Sequence, residues 1–351
     1  MLDVIVEILT DNNFIGAVFS ALAFIFIGFI LRHKNIITPD TKKALTFILL
    51  NITLPAMAFC AFMTDFSKEA FKENIVVFIL SFVFYILLIF IGKLIYIKKP
   101  KDDRNIYALL VSIGQITFFT IPILNAVYNG NPEFLIPANM MTLSFRIMLY
   151  IYCYMKMAGL KLSKDSLKAS IKKITLNPIM ICMMIGLVIW ITQGIIPKVT
   201  VNLKEYSIFR IDQTLSSIYM FIKMASNLTT PLAMIVIGSI LGEAKIKDAL
   251  LDKAAWICAV LKTFILPLVI LLIITLLQSL KLIDFNEYSL AVLVLGYSAP
   301  VSAVLSTYAA RFKNHDQIAC RVCLLTIILS VVAFPLLFIL VKYFSTFSIF
   351  M

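Results

Sequence analysis

Charge is what this sequence has least of. Only 14% of its 351 residues are charged against 61% hydrophobic, and mean hydropathy is +0.99. So few charges cannot dress a soluble globular domain of this length. Acidic residues are the scarcer sign, 19 against 31 basic. None lies deep in an apolar run, since Asp65, Glu133 and Glu243 fall near run ends. There are two histidines, His33 and His315, both in connecting segments. A proton relay through an intramembrane carboxylate or imidazole therefore has no evident carrier. HExxH, paired catalytic carboxylates and phosphate-binding loops are also missing. Their absence argues against a membrane-embedded enzyme, a resident metal or cofactor, and an ATP-driven pump.

What is present is a series of long apolar runs, at 13–31, 41–62, 74–96, 105–128, 132–156, 176–193, 214–241, 254–278, 287–310 and 317–344. Most approach the roughly 20 residues a helix needs to cross the hydrocarbon core. They lack the short alternation of an outer-membrane barrel. The expected fold class is an all-α membrane protein of about ten transmembrane helices. The first eleven residues carry Asp3, Glu7 and Asp11 and no basic residue, so they do not resemble a cleaved signal peptide. The six cysteines fall nearly all within runs and read as packing residues. Cys320-x-x-Cys323 has no second pair or histidine cluster to complete a zinc site.

The net charge of +12 is not a nucleic-acid footprint, because it alternates from loop to loop. Arg32 to Lys43, Lys93 to Arg104, Lys156 to Lys173, Lys245 to Lys253 and Arg311 to Arg321 place 21 basic residues on one side. Lys68, Lys72, Lys198, Lys204, Arg210, Lys281 and Lys342 place seven on the other. The positive-inside rule makes the first side cytoplasmic and puts both termini outside. The natural division is a first repeat at 1–158, a basic cytoplasmic linker at 159–175 that meets anionic lipid headgroups, and a second repeat at 176–351. With five spans each, the halves insert in opposite senses.

Two near-repeats support that division: Asn51-Ile-Thr53-Leu-Pro55 and Asn227-Leu-Thr229-Thr-Pro231, 176 residues apart. Pro122 and Pro300 are separated by nearly the same offset. Proline removes a donor and clashes with the preceding turn, so helix breaks are expected at Pro55 and Pro231 and at Pro122 and Pro300. Spans four and nine are the most polar at these points. They carry Gln115, Thr117, Thr120, Pro122 and Asn125 in one, and Ser298, Pro300 and Ser302 in the other. Two broken helices crossing at mid-membrane present half-helix N-termini, which favour a carboxylate. Gln115, Asn125 and Ser298 would add directional hydrogen bonds. Arg146, the deepest basic residue, is the candidate for drawing in an anion, whereas Lys223 and Lys262 read as snorkelling side chains.

These motifs resemble the auxin efflux carrier family, which includes plant auxin transporters and bacterial permeases for malate and malonate. The resemblance runs the whole length. It is carried by Asn51-Ile-Thr-Leu-Pro55-Ala, Gly114-Gln115-Ile-Thr-Phe-Phe-Thr-Ile-Pro122, Asn177-Pro178, Pro231-Leu-Ala-Met-Ile-Val-Ile-Gly238 and Ser298-Ala-Pro300-Val-Ser with Tyr308-Ala-Ala. It implies the fold of the bile-acid sodium symporters, with helices 1, 2, 6 and 7 as scaffold and 3–5 and 8–10 as a moving transport domain. It also implies a substrate at the crossing of helices four and nine, carried by an elevator-type motion. Where the family has an asparagine and small glycines before the span-four proline, this chain has Gln115, Thr117 and Thr120.

The expectation is a secondary carrier of a small organic anion in the inner or plasma membrane, its partners being that anion and membrane lipids. The alternative is a non-transporting sensor on the same fold. Coupling to sodium or protons, direction, and assembly as monomer or homodimer are open at this level.

Overall fold

The computed structural model describes residues 12–129, 131–159, 171–172, 175–243, 249–312, 315–347 and 350. The acidic start of the chain, most of the basic linker, and Lys245 and Lys247 lie outside the described residues.

Helices occupy all ten apolar stretches. The first half contains α1 (Asn12–His33), α2 (Pro39–Cys60), α3 (Lys68–Ile95), α4 (Lys101–Ser112), α5 (Ile116–Val127) and α6 (135–157). The second contains α7 (Pro178–Thr192), α8 (Ser216–Asn227), α9 (Thr229–Glu243), α10 (Lys253–Ser279), α11 (Glu287–Ser298), α12 (Ala303–Arg311) and α13 (Asp316–Ser345). Five stretches, α2, α3, α8 with α9, α10 and α13, are each long and apolar enough to cross a membrane. Starts are set by side-chain caps: Thr38, Ser67, Asn177, Asp252 and Asn286 each accept a backbone N–H of the following turn. Between α7 and α8 the chain forms an antiparallel hairpin, β1 (Lys198–Val201) with β2 (Lys204–Ser207). Its tip, Asn202-Leu203, has positive φ at both residues, as a tight hairpin turn demands.

Several prolines do not break their helices, and three of them share one reason. Pro55, Pro122 and Pro267 each stand two residues after a π-helical turn, at Leu49–Thr53, Ile116–Thr120 and Leu261–Ile265. The N–H just before each proline reaches five residues back, from Leu54 to Leu49, Ile121 to Ile116 and Leu266 to Leu261. The widened turn makes room for the ring that would otherwise strike the preceding carbonyl. The expected break at Pro122 is therefore corrected: α4 stops at Ser112, and the non-helical residues are Ile113 to Gln115. Pro300 does lie in the break, between Ser298 and Ala303. The other pair also differ. Asn51 donates to the Phe47 carbonyl (2.9 Å) within an unbroken α2, while Asn227 ends α8 and the chain turns at Leu228 before Pro231.

Packing sorts the helices into two groups. One holds α1 against α9 and α2 against α7 and α8. Glycine lets the first pair touch: a Cβ on Gly238 would lie 1.9 Å from the Ile25 carbonyl oxygen, and one on Gly28 would lie 2.2 Å from that of Ile235. The second group holds α3 against α4 and α6, α10 and α11 against α13, and α12 against α13 and the end of α6. The half-helix α5 joins the groups, packing on α1 and α9.

Loop contacts define two ends. At the hairpin end, Arg210 binds Asp65 and Asp212, Gln193 donates to the Thr64 carbonyl, Glu73 accepts from Asn286, and Tyr128 and Lys342 meet on Glu287. At the opposite, basic end, Asp252 pairs with Arg321, Asp103 with His315, and Tyr96 stacks on Tyr107.

Candidate functional site

The two interrupted helices meet through their backbones. The Gln115 N–H donates to the Pro300 carbonyl at 2.6 Å, the Ser302 N–H donates to the Ile113 carbonyl at 3.2 Å, and Gly114 pairs antiparallel with Val301. Each break thus satisfies the other's polar groups, which lipid could not do. The approach is close enough to require Gly114, whose Cβ would sit 2.9 Å from the Gly296 carbonyl oxygen.

Around this crossing four helix ends converge. The C-terminal ends of α4 and α11 carry partial negative charge and unpaired carbonyls. Lys262, fully buried in the π-helical turn of α10, donates from Nζ to the carbonyls of Tyr297 (2.9 Å) and Ser112 (3.3 Å). The snorkelling reading of Lys262 is corrected: the side chain turns inward and caps both half-helices. Depth was the signal available in the sequence. Nine residues from the start of its span, Lys262 lies about 13 Å in, near the middle of the hydrocarbon core and beyond easy reach of the interface.

The N-terminal ends of α5 and α12 face the opposite way from Lys262's carbonyl ligands along the two helices. Their first N–H groups precede any intrahelical acceptor. Two hydroxyls stand here without a hydrogen-bond partner: Thr117 Oγ1, 5% exposed in the first turn of α5, and Ser302 Oγ, fully buried just before α12. Orphaned buried hydroxyls are uncommon and call for a partner. Gln115, half-buried, immediately precedes α5.

Not every expected residue points into this space. Ser298 donates to the Thr263 carbonyl (2.9 Å) and its own carbonyl accepts from Ser330 (3.2 Å), so it fixes α11 to α10 and α13. Thr120 donates to the Leu295 carbonyl (3.3 Å), tying α5 to α11. Pro122 and Asn125 lie farther along α5, where the Pro122 carbonyl and the Asn125 amide both meet Thr230 of α9. Thr230 and its neighbour Thr229, a buried hydroxyl without a partner, were the residues of the second repeat motif that sequence reasoning passed over.

Arg146 is 3% exposed. One guanidinium nitrogen donates to the Tyr150 hydroxyl at 3.4 Å, Nε has no partner, and no described carboxylate lies within ion-pair distance. Its level follows from the contacts on either side. Met141 of α6 lies against Gly296 of α11, and Tyr154 of α6 lies edge-on to Tyr308 of α12. Arg146, about 7 Å beyond Met141 along the helix, is therefore level with the 299–302 break.

The broken helices, the apolar shell and the polar crossing are accompanied by a sequence match over almost the entire chain. None of the curated proteins matches it. A family profile described as membrane transport protein matches residues 13–338, which reach from α1 into α13 and include every residue of the crossing. The chain therefore belongs to the membrane transport protein family, that of the auxin efflux carriers.

Proposed function

We propose that this membrane transporter is a secondary carrier of a small organic anion, a carboxylate of the size of malate or malonate. The observation that supports it most directly is the pair of helix N-termini at the crossing with the unpartnered Thr117 and Ser302 hydroxyls beside them. Such an arrangement offers an oxyanion hydrogen bonds and a favourable dipole without a fixed ion pair. Arg146, level with the break and lacking a carboxylate, supplies longer-range attraction.

In this reading the α1, α2, α7, α8 and α9 group is the scaffold and the second group, with α5, is the moving domain of an inverted-repeat, ten-span elevator. The basic end faces the cytoplasm of a cell or inner membrane, and both termini lie outside. Transport draws on gradients rather than ATP. Lys262 already places an amine donor on the carbonyls at the two helix C-termini, groups that a metal cation would otherwise use as ligands, so exchange is expected to proceed without sodium.

The test is counterflow in proteoliposomes loaded with malate or malonate. Saturable uptake of labelled anion, unchanged when sodium is replaced by choline, is the expected result. Absence of exchange with a panel of mono- and dicarboxylates, in vesicles holding folded protein, would reject the anion-carrier reading.

A further inference from the structure

The repeat motifs differ in polarity at one position that matters. In Asn51-Ile-Thr53-Leu54-Pro55 the residue before proline is leucine, and in Asn227-Leu-Thr229-Thr230-Pro231 it is threonine. Thr230 makes a two-sided contact across the boundary between the packing groups. Its hydroxyl donates to the Pro122 carbonyl at 3.2 Å and accepts from the Asn125 amide at 3.4 Å, joining α9 to α5. Next to it, Phe119 and Ile123 of α5 line the same apolar cleft as Ala21, Leu22 and Ile25 of α1. The hairpin-end half-helix is thus closed against the first group. Its counterpart at the basic end, α12, packs instead on α13 and α6, within its own group.

We propose that Thr230 is a latch that biases the carrier toward the state open at the basic end, and that Leu54 makes the opposite end state intrinsically weaker. The proposal rests on the elevator reading. In an inverted repeat, moving the transport domain the other way sets α12 against α2, and Leu54 then takes the place that Thr230 now takes against α5. Leucine has no hydroxyl, and at the offset that relates Pro122 to Pro300 the place of Asn125 falls on Ala303, so that state lacks both hydrogen bonds. The two end states are unequal in the empty protein because of these side chains, before any substrate or ion acts on them.

The test uses the full chain in lipid vesicles, with native cysteines replaced by alanine and a single reporter, Gln115→Cys, at the half-buried crossing. A membrane-impermeant maleimide is applied from each side and the ratio of labelling rates is read. In the parent the basic side dominates. Thr230→Val, which keeps shape and removes the hydroxyl, moves the ratio toward the hairpin side by about two- to tenfold for each of the two hydrogen bonds lost. Thr230→Ser restores it. Leu54→Thr, which gives the other repeat a hydroxyl donor but no counterpart of Asn125, moves the ratio the same way by a smaller amount. A parent labelled from both sides whose ratio neither Thr230→Val nor Leu54→Thr shifts overturns the latch and leaves the carrier reading standing. Labelling from one side alone in every variant, with and without malate, overturns alternation and the latch with it.

Discussion

Lys262 is the residue on which the crossing depends most plainly. An amine buried in hydrocarbon is costly unless its donors are used, and here they are used on the two carbonyls exposed by the breaks. Lys262→Met keeps the side chain's length and removes the donor. It should leave the Ser112 and Tyr297 carbonyls unsatisfied at about 1–3 kcal/mol each, lowering the midpoint of thermal unfolding in detergent and abolishing exchange. An unchanged midpoint would mean that the carbonyls find other partners. Arg146 is a different case, because its guanidinium is only partly satisfied. Arg146→Ala should weaken anion binding by about tenfold, the loss of one charge's attraction over several ångströms in a poorly solvated site. Lys223→Ala, on a partly exposed face of α8, should change it little. Isothermal titration of the two variants with malate or malonate separates the roles, and equal effects would remove Arg146 from the site.

At the scale of elements, the crossing is an exchange of backbone hydrogen bonds between two interrupted helices, and its tolerance to change follows from what lies next to each glycine. A Cβ on Gly114 would meet fixed backbone, the Gly296 carbonyl oxygen at 2.9 Å, and Lys262 Nζ at 3.1 Å. A Cβ on Gly296 would meet the flexible end of Met141. Gly114→Ala should therefore destabilise by about 1–3 kcal/mol through overpacking, while Gly296→Ala should cost less as Met141 swings away. Thermal unfolding of the two variants would show the order, and the reverse order would mean that the breaks are looser than their hydrogen bonds imply. This contrast also marks what sequence could and could not deliver. Helix positions were legible because apolar runs, caps and polar loops are local signals. The exact break was not, because Pro122 looks like a breaker until the π-helical turn before it absorbs the ring, and the true interruption at Gly114 is set by partners nearly 190 residues away. Ser298 and Thr120 lie at the crossing with their hydroxyls on backbone carbonyls, and which carbonyl a hydroxyl reaches is a tertiary fact that no spacing encodes.

Across the whole molecule, the separation of a hairpin end from a basic end gives the orientation argument its physical footing. The connections at 64–73, 128–134, 193–213 and 284–288 contact one another through ion pairs and hydrogen bonds, and those at 96–107, 252–254 and 315–321 do the same at the other end. The excess of lysine and arginine then falls on one face as a unit, the face that the positive-inside rule would make cytoplasmic. The chain supplies its own reporter for the sign of that argument. Cys320 is exposed at the basic end, and Cys60, Cys153, Cys258 and Cys323 are buried. In intact cells an impermeant maleimide should leave Cys320 unmodified, whereas in inverted membrane vesicles it should label it within minutes. A cysteine placed at Lys204, exposed on the hairpin, should show the opposite pattern. If Cys320 reacted from outside, the basic end would face away from the cytoplasm, and the half-helix now closed against the scaffold would guard the inner side rather than the outer one.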